Sequence, residues 1–179
     1  DLYKEFEENG YEVQTNSLPN TTTDKKQAIF LAEDGMDKIQ EGRGDFLPNA
    51  TRMALDKLSK NEKGFFLMVE GSQIDWAGHA NDINYINSEF IDFDGAIQVA
   101  LDFAKADGNT LVVVTADHET GGLGIKGGNI SRNKVSGGFV TGGHTGTMVP
   151  VFSYGPNSET FSGIYDNTNI FDKIIKSLE

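Results

Sequence analysis

With 179 residues, 37% apolar content and 21 glycines, the chain has the length of one domain and can bury a core without covalent staples. Its 27 acidic residues against 15 basic ones give a formal net charge of −12, which argues against nucleic acid or an anionic membrane surface as a partner. There is no cysteine to reveal the redox compartment, and no apolar stretch is long enough to span a bilayer.

Leu2, Tyr3 and Phe6 among glutamates read as the end of a helix, with Gly10 as its stop. Residues 11–14 look like a short strand, 16–26 like a polar loop, and 28–32 like a buried strand. Leu47, Ala50, Ala54, Leu55 and Leu58 recur at helical spacing, with Pro48 tolerated in the first turn and Gly64 closing the segment. The unbroken apolar run from Phe65 to Val69 predicts a strand covered on both faces. Ile83, Ile86, Phe90, Phe93, Ile97, Leu101 and Ala104 step by three or four, which predicts the strongest helix, over roughly 81–106. Leu111 to Thr115 is the strongest strand. Residues 121–143 read as glycine-rich and irregular, with a short strand at Phe139 and Val140. A strand over 149–154 and a last helix capped by Asn167, with Ile170, Phe171, Ile174, Ile175 and Leu178 inward, complete the chain. Buried strands alternating with amphipathic helices predict an α/β fold with a largely parallel sheet, in which ligands bind beyond the carboxyl ends of strands.

All three histidines lie in glycine-flanked segments, and two of those segments directly follow predicted strands. Asp75 and His79 are four residues apart, so one helical turn puts both on one side. A single metal can bridge them, and His144 is the unassigned histidine that can complete a set of two imidazoles and one carboxylate, a catalytic zinc pattern. Asp117 and His118 are adjacent, so they share a second metal only if the backbone turns there. Two metals a few ångströms apart suit phosphoryl transfer. Glu70, at the end of the 65–69 run, can hold a hard cation such as magnesium. The bland alternatives are a structural histidine, a solvated strand-end carboxylate and, for Trp76, a packing aromatic. Three histidines out of three near strand ends outweigh them.

Other signals are weaker. Gly122, Gly124 and Gly127 match the dinucleotide-loop spacing, but no helix opens after them. Ser72 is not in a nucleophile elbow. Asn20, Asn49 and Asn129 fit the short glycosylation pattern, which arises readily by chance.

The segments Val69-Glu-Gly-Ser-Gln-Ile-Asp75 with His79, Thr115-Ala-Asp117-His118-Glu-Thr-Gly-Gly and Gly143-His144-Thr-Gly resemble the metal-binding half of alkaline phosphatases. The resemblance runs over nearly the whole chain. It implies a three-layer α/β/α fold with its N-terminal part missing, residues 1–179 forming a single partial domain. It further implies one zinc on Asp75, His79 and His144, a second zinc on Asp117 and His118, and a magnesium on Glu70. The activity implied is hydrolysis of phosphate monoesters through a phosphoserine intermediate. The family's serine lies in the half that this chain lacks, so the chain alone is expected to be inactive or nearly so. A bridging aspartate, a further magnesium ligand and a phosphate-clamping arginine are missing with it. Arg43, Arg52 and Arg132 match no such motif. Trp76 stands where many members carry a basic or histidine side chain. The short 121–144 segment leaves room for at most a small dimer-interface crown, so a homodimer is an expectation for the full-length protein only. The family implies a periplasmic or extracellular location. The chain starts at Asp1 without a signal-peptide pattern, which leads to the expectation that an upstream segment has been removed. The competing readings are a related sulfatase, phosphomutase or phosphodiesterase, and a non-catalytic metal-stabilised binding domain.

Overall fold

In a computed structural model of the chain, residues 1–19 and 23–178 are described. The Asn20 triplet falls outside them. The elements, in order, are α1 (Leu2–Glu8), β1 (Tyr11–Gln14), β2 (Lys26–Ile29), α2 (Phe46–Leu58), α3 (Gln73–His79), α4 (Ile83–Asp107), β3 (Val112–Val114), β4 (Glu119–Thr120), β5 (Gly124–Asn129), β6 (Lys134–Gly138), β7 (His144–Thr145), β8 (Phe152–Tyr154) and α5 (Asn169–Leu178). Among the described residues no helix is long and apolar enough to cross a membrane.

The long helix α4 is the spine. Its start is fixed by the Asp82 carboxylate, which accepts from the backbone N–H groups of Asn84 (2.9 Å) and Tyr85 (3.1 Å). Its end is fixed by Gly108 in the left-handed region at φ 75°. Helices α2 and α3 both pack on it. The face it buries carries Tyr85, Glu89, Ala96 and Ala104, while Phe90, expected inward, is exposed. A mixed polar and small inner face lets two helices and the 36–43 segment approach closely, at the expense of a smooth apolar stripe.

Strands β1 and β2 pair in parallel, and β3 pairs antiparallel with β8. The 65–69 run, among the described residues, belongs to no strand and has no ladder partner. It alternates: Phe65, Leu67 and Val69 are half-buried, and Phe66 and Met68 are exposed. The expectation of a strand covered on both faces is therefore corrected to a segment with one covered face, Phe65 lying edge-on to Phe103 at 6.2 Å. Two further expectations change. The 121–143 region is not irregular: β5 and β6 form an antiparallel hairpin, and Phe139 and Val140 are not a strand. Asn167 does not cap α5; Asp166 organises that turn, accepting from the Thr168 N–H (3.0 Å) and hydroxyl (2.8 Å).

Candidate metal centre

Three segments converge because of two backbone features. First, β4 and β7 pair antiparallel with Thr120 opposite His144 and Glu119 opposite Thr145, which sets the two later histidine segments side by side. Second, α3 lies directly against β4. A Cβ at Gly78 would sit 2.9 Å from Thr120 Cβ and 3.0 Å from its carbonyl oxygen, so only glycine permits this approach. Gly121 then turns the chain at φ 89° and links both sides, its N–H donating to the Gly143 carbonyl (2.9 Å) while its own carbonyl accepts from the Val140 N–H (3.0 Å). Replacing Gly78 with alanine is expected to force α3 off β4 and cost about 1–3 kcal/mol, the range for overpacking a tight contact. Thermal unfolding checks this, since about 2–4 °C of Tm is lost per kcal/mol at this chain size.

On α3, Asp75 and His79 fall one turn apart as their spacing requires, with His79 Nε2 3.5 Å from Asp75 Oδ2. His144 joins them. Its Nε2 lies 3.6 Å from Asp75 Oδ1 and 3.2 Å from His79 Nε2. One ligand atom from each of the three lies within 4.8 Å of the others. His79 Nδ1 is 2.6 Å from the Gly142 carbonyl oxygen. A carbonyl only accepts, so Nδ1 carries the proton and the Nε2 lone pair faces the cluster.

The chain bends at Asp117, which brings its Oδ2 to 3.3 Å from His118 Nε2. The turn required for this pair is thus present. The His118 ring stacks on that of His144, with centroids 3.6 Å apart, so the pair adjoins the trio. Thr120 connects them: its hydroxyl lies 2.5 Å from Asp75 Oδ1 and 3.2 Å from His118 Nδ1. An ionised carboxylate can only accept, so the hydroxyl proton goes to Asp75, and His118 Nδ1–H donates to the hydroxyl. His118 Nε2 is left free toward Asp117. Sequence reasoning assigned Thr120 no role of its own beyond its place in the Asp117–His118 motif. His118 precedes β4, so strand alternation did not tie the two residues to one face, and the contact to Asp75 spans 45 residues.

Glu119, which sequence reasoning passed over, anchors the loop beneath. Its carboxylate accepts from the Thr145 hydroxyl and from the N–H groups of Gly122 and Leu123 (3.1 Å each). The Thr145 bond foremost, then the Leu123 and Gly122 amides, hold its pKa below the ordinary carboxylate value. Its contribution to stability is therefore complete above that ordinary value and is lost as pH falls through the lowered one.

Glu70 stands apart. It is exposed, and it lines a pocket with Arg43, Ser72, Gln73, Glu89 and Asp92. Among the described residues, Asp75, His79 and His144 form the one group of three or more such side chains within reach of a common ion. The trio opens to solvent, with side-chain exposures of 35%, 42% and 48%, as a site that admits a ligand must.

Comparison with known proteins gives a consistent picture. The family model for alkaline phosphatase matches residues 1–137. Alkaline phosphatase 3 of Bacillus subtilis is 34% identical, over 99% of this chain and 54% of its own length. Alkaline phosphatase of Escherichia coli K12 is 38% identical, over 72% of this chain and 31% of its own. The structure of alkaline phosphatase from the Antarctic bacterium TAB5 superposes with a TM-score of 0.92 at 46% identity, over 99% of this chain and 54% of that one. A TAB5 mutant was solved with Mg bound in its M3 site. The chain spans about half the length of the curated relatives B. subtilis alkaline phosphatases 3 and 4.

Proposed function

This chain belongs to the alkaline phosphatase family, with the α/β fold of that family, and from that premise we propose that it supplies the zinc-holding part of a phosphate-monoester hydrolase. The observation that carries the reading is the approach of His79 Nε2 and His144 Nε2 to 3.2 Å beside the Asp75 carboxylate. Two imidazole lone pairs turned toward each other repel unless a cation or a proton lies between them. The Gly142 carbonyl commits the His79 proton to Nδ1, so the His79 Nε2 lone pair faces His144 and Asp75 and is available to a metal. Two imidazoles and a carboxylate with an open fourth position are the donor set of a catalytic zinc.

In this reading Asp75, His79 and His144 hold one zinc, Asp117 and His118 hold part of a second, and Glu70 holds a magnesium. Metals so bound supply Lewis acidity toward phosphate and nucleophile oxygens. The chain's own residues do the rest. Gly142 fixes the His79 tautomer, and Thr120 orients Asp75 and His118 together. The reaction proceeds through a phosphoserine whose serine lies in the part of the family fold that this chain does not span. A homodimer and a location outside the cytoplasm belong to the same proposal.

The test is metal content by mass spectrometry after gentle purification, with affinity measured by chelator competition. One tightly held zinc per chain is expected, with further zinc or magnesium held more weakly. A chain that takes up no zinc at neutral pH would overturn the reading. Comparing p-nitrophenyl phosphate with sulfate and diester analogues, in a protein carrying the complete fold, separates a monoesterase from a sulfatase or phosphodiesterase.

A further inference from the structure

Residues 36–43 contain only a single helical turn, Ile39–Glu41, yet they are held by side chains that are almost wholly buried. Two attachments do this. At one end the Gln73 side chain, the first residue of α3, donates to the Met36 carbonyl (2.7 Å) and accepts from the Tyr85 hydroxyl. At the other end Arg43 reaches under α4. Its Nη2 donates to Glu89 and to Asp92 (2.9 Å), and its Nη1 donates to the Asp37 carbonyl (3.0 Å). Glu89 closes the loop by accepting from the Ile39 N–H (2.9 Å). The side chains of Arg43, Glu89 and Asp92 are 6%, 2% and 6% exposed.

This arrangement excludes one role for Arg43. A guanidinium enclosed by two carboxylates, with its Nε buried and unpartnered, cannot turn out to clamp a phosphate. It also contributes little as plain stabilisation, because desolvating a buried ion pair offsets most of its attraction. What such a cluster supplies is position. Burial disfavours the charged guanidinium, but the bonds to Glu89 and Asp92 outweigh it and raise the Arg43 pKa, so the clasp stays charged. Tyr85, Glu89 and Asp92 all lie on α4, so the 36–43 segment and the start of α3 are referenced to one rigid helix. Asp75 is two residues beyond Gln73, and the Glu70–Gly71–Ser72 turn lines the same pocket as Arg43.

We infer that Arg43 is a positioning residue for the metal-bearing helix: held between Glu89 and Asp92, it pins residues 36–43, and through Met36 and Gln73 it fixes the start of α3 and hence the placement of Asp75 and His79. The part concerning metal rests on the zinc reading above; the part concerning α3 does not.

The experiment uses Arg43→Lys, whose shorter point-charge ammonium cannot reproduce the planar two-nitrogen fork that reaches Glu89, Asp92 and the Asp37 carbonyl, and Tyr85→Phe, which removes only the bond to Gln73. Amide hydrogen exchange is followed in the metal-free chain, and zinc affinity is measured by chelator competition. Both variants are expected to speed exchange selectively over residues 74–80, with the β5–β6 hairpin and α5 unchanged. Zinc affinity should fall about 10-fold or more, as for other residues that orient ligands. A purely structural role would raise exchange throughout or leave residues 74–80 as they were, and either result overturns the inference. If wild type binds no zinc while the variants still loosen α3, the zinc reading fails and the positioning stands. If wild type binds zinc and the variants change neither quantity, the positioning fails and the zinc reading stands. Should Arg43→Lys not fold, Tyr85→Phe decides alone.

Discussion

His79→Ala is expected to lower the zinc affinity of the chain by about 100-fold or more, beyond the usual 10- to 100-fold effect of losing a residue that merely orients a ligand. The substitution removes one of the three donor atoms that lie within 4.8 Å of one another. It also leaves the Gly142 carbonyl, now accepting at 2.6 Å, without its partner. His118→Ala should cost less zinc. It removes half of a two-residue pair and the donor to Thr120, but leaves Asp75, His79 and His144 in place. The order of the two variants is therefore diagnostic, and mass spectrometry with chelator competition reads it directly. Circular dichroism of the metal-free variants separates loss of ligation from loss of fold. Equal zinc loss in both, or wild-type affinity in His79→Ala, would show that the trio is not the primary site.

What the sequence made legible follows from where physical constraint is local. The α4 periodicity predicted 81–106 and the helix runs Ile83–Asp107, because seven apolar residues at one spacing admit no other period and the Asp82 and Gly108 caps are local chemistry. The Asp75–His79 spacing was legible for the same reason. The hairpin over Gly124–Asn129 and Lys134–Gly138 was not: its residues are mostly exposed, so no inward face imposes an alternation. Phe66 and Met68 read as buried because composition reports that a side chain is apolar, not whether anything lies over it. The start of α5 turned on Asp166 rather than Asn167, a one-residue difference between two side chains with similar turn chemistry. At the site the ligand-type residues were visible and the groups that orient them were not. Thr120, the Gly142 carbonyl, Gly78 and the Arg43 clasp act through long-range contacts that only the folded chain brings together.

On the proposed reading, the chain with its zinc bound should hydrolyse p-nitrophenyl phosphate about 10⁴-fold or more slowly than a full-length member of the family, since removing a nucleophile typically costs at least that much. The difference corresponds to about 5 kcal/mol of activation free energy. The hydroxyl that the structure places against Asp75 and His118 is that of Thr120, and its proton is committed to the Asp75 carboxylate at 2.5 Å. It therefore positions ligands and cannot serve as nucleophile without dismantling the contact that holds Asp75. Ser72 lines the pocket of Arg43 and Glu89, where two carboxylates already occupy the guanidinium. The decisive measurement is turnover of the purified chain with and without chelator, alongside Thr120→Val. Slow turnover abolished by chelator, and reduced further by Thr120→Val through weaker zinc binding, is the expected result. Turnover within about tenfold of a full-length enzyme, undiminished by chelator, would place the chemistry elsewhere in the chain and remove the reason for assigning Asp75, His79 and His144 to a metal.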